Sequence, residues 1–288
     1  NAVFQMDEFL WELKDHIVGL NAGRWDYLFS YQKVYRNTKK VILPDRSKVN
    51  MFVPFMSNYN KLLVDTCHKR GAFGMGGMSA QVIAKANPKE VNEKALAGVK
   101  KDKERELNQG NDGAWVAHPS LVEPVKNIFE KNFKGSNQLN KFNNVKIARR
   151  DLLEEPKIDN AITEQGIREN LNEGIEYMAF WIIGTGCCVV NYLMADAATC
   201  EVSRAQLWTW LKYKVKLDDG RIVDEKLIDK LIEDELKKIK KKFLAWRERT
   251  GDKSLDHVSF ENAAKAFREM ITKENFDDFL TLPLYEKI

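Results

Sequence analysis

The sequence predicts an α/β fold in the first part of the chain and an all-α fold in the second. Over residues 1–135 of the 288, helical stretches alternate with short apolar runs and with polar or glycine-containing loops, a rhythm typical of α/β units. Residues 136–160 lose that rhythm and hold several Asn and Lys residues, which indicates a linker. Residues 161–288 show helical periodicity alone, which predicts a helical C-terminal domain.

Helices in the α/β part are predicted where apolar residues recur at three- and four-residue spacings, and strands where a short apolar run leads into a turn. The predicted helices cover residues 4–17, 53–69, 88–107 and 121–133. The predicted strands cover residues 17–20, 72–77 and 114–117. Gly71 follows the second helix and Pro88 begins the third, as residues that stop and start helices commonly do.

The helical part is predicted to contain helices at 163–183, 196–214, 224–249 and 259–273. The third of these carries a basic run at 237–242 behind a first half rich in Asp and Glu. Acidic residues first and basic residues last complement the helix dipole. We therefore interpret this segment as a solvated helix rather than as a nucleic-acid surface.

Composition limits the class of protein. Hydrophobic residues make up 44% of the chain, which is enough for a sizeable core and argues against global disorder. Lys and Arg number 46 against 42 Asp and Glu, and the resulting net charge of +4 does not imply a nucleic-acid partner. Because no apolar run is long enough to span a bilayer, no membrane partner is expected either.

The cysteines and the chain ends bear on location. The four cysteines form no C-x-x-C pair, so we expect free thiols in a reducing compartment. The last residues, Tyr285 to Ile288, are not an S-K-L peroxisomal address. The expected location is cytoplasmic, or peroxisomal or glyoxysomal in a eukaryote. Asn1 rather than Met is the first residue, so we expect the sequence to begin inside a longer polypeptide.

Asp26 follows a predicted strand and the polar turn before it. Parallel α/β folds bind ligands at the carboxyl ends of their strands, where a carboxylate could be an oxygen ligand to Mg²⁺ and turn N–H groups could hold an anion. The other interpretation is a turn aspartate that hydrogen-bonds its own backbone. Spacing alone leaves both open.

Asp196 stands at the predicted start of a helix. Asp is a preferred N-cap, worth roughly 1 kcal/mol. The functional interpretation is a general base, since a helix N-terminus favours a charged carboxylate and a base must be deprotonated before it acts. Both interpretations remain open on the residues alone.

Three other features have structural interpretations. The glycines of 71–77 lack the spacing of a phosphate loop and favour close backbone packing. Cys67 and His68 are adjacent, point about 100° apart on a helix and rarely face each other, so Cys67 is expected in the core. His118 could line a site or serve a turn.

Motifs of this kind, in this order, resemble the malate synthase A family over nearly the whole chain. The segments 134–160 and 215–258 match least. The resemblance rests on Phe4–Glu8, Leu13–Asn21, Gly23–Tyr27, Leu43–Arg46, Thr66–Phe73, Met75–Met78, Asp112–Pro119, Asp196–Thr199, Ser203–Arg204, Trp208–Trp210 and Phe279–Pro283.

The resemblance implies that 1–135 is the C-terminal part of a (β/α)₈ TIM barrel and that 161–288 is an all-α plug domain. It implies an acyltransferase of the glyoxylate cycle, which condenses acetyl-CoA with glyoxylate to give malate and CoA. Asp26 would bind Mg²⁺ and Asp196 would be the catalytic base. The implied substrate-binding residues are Gly23, Arg24, Trp25, Trp115, Pro119 and Met194.

The chain departs from the family in two ways. Ala195 stands where the family usually has Glu, which could change the hydrogen bonds around the base. The family's second Mg²⁺ carboxylate, its catalytic arginine and the first part of its barrel lie upstream of Asn1. The implied partners are therefore the two substrates and the missing N-terminal half of the same polypeptide, and a homo-oligomer is compatible with the sequence.

Two other functions remain open at this point. One is a related Mg²⁺-dependent barrel lyase that cleaves CoA esters. The other is a non-catalytic helical scaffold, in which Asp26 and Asp196 are only a turn and a cap residue.

Overall fold

A computed structural model of the chain describes residues 2–133, 135–153, 161–251, 253 and 255–287. The first elements in chain order are α1 (Met6–Glu12), β1 (Gly19–Asn21), α2 (Arg24–Tyr35), α3 (Pro54–Lys69), β2 (Phe73–Ser79), α4 (Lys89–Gln109), β3 (Gly113–Val116), α5 (Val122–Glu130) and α6 (Arg149–Leu153). The later ones are α7 (Glu164–Ile182), β4 (Cys188–Val190), β5 (Leu193–Ala195), α8 (Ala197–Lys212), α9 (Glu225–Thr250), α10 (Phe260–Thr272) and α11 (Thr281–Leu284).

The chain divides into two compact units. The first is formed by residues 1–24, 50–156 and 192–194. The second is formed by residues 25–49, 157–191 and 195–288. The domain boundaries at 135 and 160 stay a prediction, and residues 154–160 of the predicted linker lie outside the described residues.

The first unit contains a three-stranded parallel sheet in the order β1-β2-β3. Gly19 pairs with Phe73 and Asn21 with Met75, while Met75 pairs with Gly113 and Ser79 with Val116. Helices connect the strands, as parallel pairing requires. The predicted alternation of helices and parallel strands is thus present, and the carboxyl ends of all three strands lie at one edge.

Glycines in β2 allow its backbone to lie close to α4. A Cβ on Gly76 would collide with the Glu106 carboxylate, and a Cβ on Gly77 would lie 3.1 Å from the carbonyl oxygen of Ala22. Glu106 in turn accepts a hydrogen bond from the Gly77 N–H at 2.9 Å. The prediction of close packing is confirmed for Gly76 and Gly77, whereas a Cβ on Gly71 would meet nothing within 4 Å.

Glu106 is fully buried, and its charge partner is equally buried. The Lys103 ammonium lies 3.0 Å from both carboxylate oxygens and also donates to the Gly77 carbonyl oxygen at 2.6 Å. Burial raises the pKa of Glu106 to about 7, against the opposing effect of the Lys103 charge. The side chain is thus held in place by hydrogen bonds on both sides and cannot move away from β2 at low cost.

The second unit is built around packed helices. Buried apolar residues of α7, α8, α9 and α10 form one core, which includes Ile167, Leu207, Ile228 and Phe267. Hydroxyl or carboxylate side chains cap all four of these helices, since Thr163, Asp196, Asp224 and Ser259 each accept a hydrogen bond from a first-turn N–H. The four helices predicted for this region are confirmed, with ends shifted by at most two residues.

Three predictions about elements are wrong. Residues 4–17 form only a 3-10 turn and the short α1, and α2 was not predicted at all. Apolar and aromatic residues lie on every side of α2, so it shows no amphipathic stripe. The strands β4 and β5 interrupt a region predicted to be wholly helical, and strands of three residues are too short to show alternation.

Two predictions about individual side chains are also confirmed. Cys67 is fully buried, and all four cysteines are free thiols. Its neighbour His68 binds the Asp112 carboxylate at 2.9 Å and the Lys141 carbonyl oxygen at 2.7 Å. Lys238, Lys240 and Lys242 of the basic run pair with carboxylates of the same unit. No helix in the described part of the chain combines the length and the hydropathy that a membrane span needs.

We expect Gly76→Ala to destabilise the protein, because the added methyl group would displace a buried carboxylate that is hydrogen-bonded on both sides. Overpacking of this kind typically costs about 1–3 kcal/mol. Gly98→Ala is the matched control: Gly98 lies in α4 with open space around it, so the substitution should stabilise the helix by about 0.5–1 kcal/mol. Urea unfolding measures both, and equal effects of the two substitutions would contradict the packing described for β2.

Candidate functional site

Asp26 lies in the first turn of α2, immediately after the strand β1 and the residues Ala22 and Gly23. The loop predicted to hold it is therefore a helix N-terminus, and this part of the prediction is wrong. Asp26 is exposed as a whole residue, yet enough protein surrounds its carboxyl group for desolvation to raise its pKa. The negative charge of Asp196 raises that pKa further, and a hydrogen bond to the backbone N–H of Asp26 itself lowers it.

Asp196 is the N-cap of α8 and forms a capping box with Thr199. Its Oδ1 accepts from the Thr199 N–H at 3.1 Å, and its own N–H donates to the Thr199 hydroxyl at 3.0 Å. The predicted start of the helix is confirmed. Within the described residues only Oδ1 has a hydrogen-bond partner, so Oδ2 is available to a ligand.

Asp26 and Asp196 both belong to the second unit, and the negative charge of Asp196 raises the pKa of Asp26. Among the described residues no group of three His, Cys, Asp or Glu side chains could hold a metal ion. Asp26 and Asp196 nevertheless lie within electrostatic reach of each other, and a carboxylate is the kind of oxygen ligand that Mg²⁺ takes. Mg²⁺ usually takes one or two carboxylates and completes its shell with water and substrate.

Trp25 precedes Asp26 on α2 and faces a cationic side chain. The Arg46 guanidinium carbon lies 5.7 Å from the centre of the Trp25 ring, within the range of a cation–π contact. Arg46 also pairs with Glu173 of α7 at 3.2 Å and donates to the Ser203 hydroxyl of α8 at 3.0 Å. These contacts lie wholly within the second unit.

The other predicted site residues belong to the first unit, at the carboxyl ends of its strands. Gly23 and Arg24 follow β1, Trp115 lies on β3 and is 58% exposed, and Pro119 begins the 3-10 turn after β3. The Met194 N–H donates to the Ala80 carbonyl oxygen, just beyond β2, at 2.7 Å. Parallel topology thus brings these five residues to one edge of the sheet.

His118 has a structural role. Its Nδ1 accepts from the Ser120 N–H at 3.2 Å and lies 2.7 Å from the Ser120 hydroxyl oxygen, so it caps the turn that Pro119 begins. Of the two interpretations left open by the sequence, the turn interpretation accounts for the contacts of this side chain.

A groove of about 570 Å³ in the second unit contains none of the predicted site residues. Its walls come from the C-terminal ends of α8 and α10 and the start of α9, and include Trp208, Lys212 and Lys273. Asp196 stands at the opposite end of α8. The groove is therefore separate from the end of α8 that carries Asp196.

Sequence reasoning missed Arg46, Glu173 and Ser203 as neighbours of the candidate site. Two signals were present, because Leu43–Arg46 and Ser203–Arg204 were both among the motifs that carried the family resemblance. The sequence alone assigned no function to Arg46 or Ser203, because the contact between them joins segments that lie far apart in the chain.

The electrostatic link between the two aspartates is directly testable. We expect Asp196→Asn to lower the pKa of Asp26, because the substitution removes a negative charge that raises it. Carboxyl ¹³C NMR titration in Mg²⁺-free buffer measures the shift. Asp256→Asn, which removes the partner of a surface ion pair with Arg247, is the control and should leave the Asp26 titration unchanged. An Asp26 pKa that does not respond to Asp196→Asn would mean that the two carboxylates are not neighbours.

Two family models match the chain. The model described as "Malate synthase, TIM barrel domain" matches residues 1–155, and the one described as "Malate synthase, C-terminal" matches residues 161–288.

Whole-chain relatives carry corresponding names. The chain is 43% identical over its whole length to a malate synthase of Myxococcus xanthus and covers 51% of that protein. It is 44% identical to a glyoxysomal malate synthase of Candida tropicalis, of which it covers 50%. It is 41% identical to a bifunctional glyoxylate cycle protein of Caenorhabditis elegans, of which it covers 28%. The chain thus spans about half the length of the first two relatives and less of the third.

Proposed function

Because the chain belongs to the malate synthase family, we propose that it supplies the catalytic base and one metal carboxylate of a malate synthase. The proposed reaction of the complete polypeptide is the Mg²⁺-dependent condensation of acetyl-CoA with glyoxylate to malate and CoA, an acyl transfer of the glyoxylate cycle. The observation that carries the proposal is the Asp196 carboxylate: one oxygen caps α8, and the other has no partner among the described residues, in electrostatic reach of Asp26.

The fold we propose for the complete polypeptide follows from the sheet and the family. The strands β1, β2 and β3 would be part of a (β/α)₈ barrel whose other strands come from the upstream half of the polypeptide. Support comes from their parallel pairing in sequence order, which is the order of neighbouring barrel strands. Residues 161–288 would be the helical plug domain.

Asp26 is the residue that would hold Mg²⁺. The ion would polarise the aldehyde of glyoxylate and orient it, which is the chemistry that a hard divalent cation supplies. The start of α2, near Gly23, Arg24 and Trp25, would receive the glyoxylate carboxylate, because a helix N-terminus favours a negative charge. Trp115, Pro119 and Met194 remain proposed contacts of acetyl-CoA.

Asp196 would take the proton from the acetyl methyl group. The capping box fixes the carboxylate through Oδ1, which leaves Oδ2 to accept the proton without loss of the cap. The carbanion equivalent of acetyl-CoA then attacks the glyoxylate aldehyde carbon, and hydrolysis of malyl-CoA releases malate and CoA. Fixing the base in advance avoids an entropic cost during the reaction.

Asp196→Asn separates the base from the cap. Asn caps a helix about as well as Asp, so stability should change by less than about 1 kcal/mol. Asn cannot accept the methyl proton, so kcat should fall by roughly 10²–10⁴-fold. The KM for acetyl-CoA should change little, because the carboxylate acts mainly in the transition state. Steady-state kinetics and thermal melting of the complete polypeptide measure all three quantities.

Asp224→Asn is the matched control, since Asp224 caps α9 through an equivalent bond to the Leu227 N–H at 2.8 Å. It should preserve both melting temperature and kcat. If Asp196→Asn melts early and keeps its kcat, Asp196 is a structural cap and the proposed function loses its base.

Asp26→Ala should weaken Mg²⁺ binding with little loss of stability, because Asp26 is exposed and contributes no core packing. Isothermal titration of the complete polypeptide with Mg²⁺ measures the affinity. Asp278→Ala removes another exposed carboxylate, one that pairs with Lys33 at the surface, and should leave the affinity unchanged. Unaltered Mg²⁺ affinity in Asp26→Ala would rule out Asp26 as a ligand.

A further inference from the structure

The segment Leu43–Arg46 is bound to its surroundings at each of its first three residues. The Trp210 indole donates to the Leu43 carbonyl oxygen at 3.0 Å, and the Gln206 amide donates to that of Pro44 at 2.6 Å. Asp45 accepts from the N–H and the hydroxyl of Thr163, at 3.0 and 2.8 Å. All of these groups are buried or half-buried in the second unit, so the backbone that carries Arg46 is fixed.

The approach of Asp45 to α7 is close enough to require a glycine. A Cβ on Gly166 would collide with the Asp45 carboxylate. Thr163, which Asp45 binds, is the N-cap of α7 and accepts from the Gly166 N–H at 2.9 Å. The Asp45 carboxylate therefore joins the segment Leu43–Arg46 to the first turn of α7. The carbonyl oxygens of Leu43 and Pro44 join the same segment to α8.

The Arg46 side chain, 14% exposed, reaches three elements from this fixed base. One N–H group bonds the Glu173 carboxylate of α7 at 3.2 Å, another bonds the Ser203 hydroxyl of α8 at 3.0 Å, and the guanidinium plane lies by the Trp25 ring of α2. A guanidinium can do all three at once because it is planar and carries several donors in a fixed arrangement.

The contacts of Arg46 continue to the proposed base. Ser203 donates to the Thr199 carbonyl oxygen at 3.1 Å, one turn earlier in α8. Thr199 is the partner of Asp196 in the capping box. A connected path of hydrogen bonds thus runs from Arg46 to Asp196, while the other face of Arg46 contacts the residue next to Asp26.

We infer that Arg46 is a positioning residue of the proposed condensation: it sets the distance between the Trp25–Asp26 turn and the base at the start of α8. This inference rests on the proposed function. Without Arg46, the two aspartates would remain in the protein, but the contact that runs through Arg46 from Trp25 to α8 would be lost.

Arg46→Lys is the first test, because it keeps the positive charge and removes the planar fork and the ring contact. We expect kcat of the complete polypeptide to fall on the order of 10- to 100-fold, as for a displacement of about 1 Å at a reacting centre. The KM for acetyl-CoA should change little. Hydrogen exchange of the peptide that covers Arg24–Tyr27 should become roughly 10-fold faster, since local opening governs exchange.

Arg168→Lys is the matched control. Arg168 lies on α7 and, like Arg46, binds groups on more than one element. It pairs with three carboxylates, those of Glu164, Asp234 and Glu235, at 2.7 to 3.2 Å. Two of these carboxylates belong to α9, and none of them contacts Trp25 or Ser203 among the contacts that the structure describes. Arg168→Lys should therefore leave both kcat and the hydrogen exchange of Arg24–Tyr27 unchanged.

Two further variants separate positioning from mere stability. Ser203→Ala removes one link of the path without touching a charge and should reproduce part of the kcat loss. The double variant Arg46→Lys with Asp196→Asn should lose less than about 3-fold beyond Asp196→Asn alone, because residues that act through one another are not additive.

The outcomes are distinguishable. A wild-type polypeptide that forms no malate overturns the proposed function, and the exchange measurement then still tests whether Arg46 holds the α2 turn. If wild type is active, the inference about Arg46 is overturned by wild-type kcat in Arg46→Lys, by unchanged exchange at Arg24–Tyr27, or by equal losses in the presence and absence of the Asp196 carboxylate.

Discussion

Helix α8 is buried along almost its whole length, and the polar side chains it carries must find hydrogen-bond partners inside the protein. Every residue from Thr199 to Trp210 is buried, although half of them carry polar or charged groups. Burying a polar group without a hydrogen-bond partner costs about 2–7 kcal/mol. The second unit meets this constraint by bringing loops from distant parts of the chain onto α8, and the candidate site is one result.

Two segments satisfy most of the buried polar groups of α8, while Nη1 of Arg204 has no hydrogen-bond partner among the described residues and the guanidinium lies over the Phe276 ring. The first segment contains Asp277 and Leu280 and pairs with two charged residues of α8. The Leu280 N–H donates to Glu201 at 2.6 Å, and the Asp277 carbonyl oxygen accepts from Arg204 at 3.1 Å. Burial raises the pKa of Glu201 against the opposing charge of Arg204, 2.6 Å away. The segment Leu43–Arg46 binds the other part, through Gln206, Trp210 and Ser203. Because that segment also carries Arg46, the packing of α8 and the placement of Trp25 depend on the same hydrogen bonds.

Local signals decided how much could be predicted. The helices α7 to α10 were predictable because each has an amphipathic face or a clear cap, such as Asp224 before α9. Helix α2 was not predictable, because its own apolar residues lie on every side of the helix and form no stripe. Asp26 and Asp196 were each identified from sequence with a structural and a functional interpretation. Their electrostatic coupling could not be predicted, because it depends on tertiary contacts between segments far apart in the chain.

The proposed role of Asp26 and Asp196 in a condensation, beyond a helix cap and a first-turn residue, can be tested directly. The most direct measurement is to incubate the complete polypeptide with Mg²⁺, acetyl-CoA and glyoxylate, and to quantify malate and free CoA, with malyl-CoA supplied in a parallel reaction. We expect malate and CoA in equal amounts from the first mixture, with one water consumed per turnover, and hydrolysis of malyl-CoA to the same products in the second. Cleavage of malyl-CoA to acetyl-CoA and glyoxylate without net malate, or no reaction in either mixture, would contradict it.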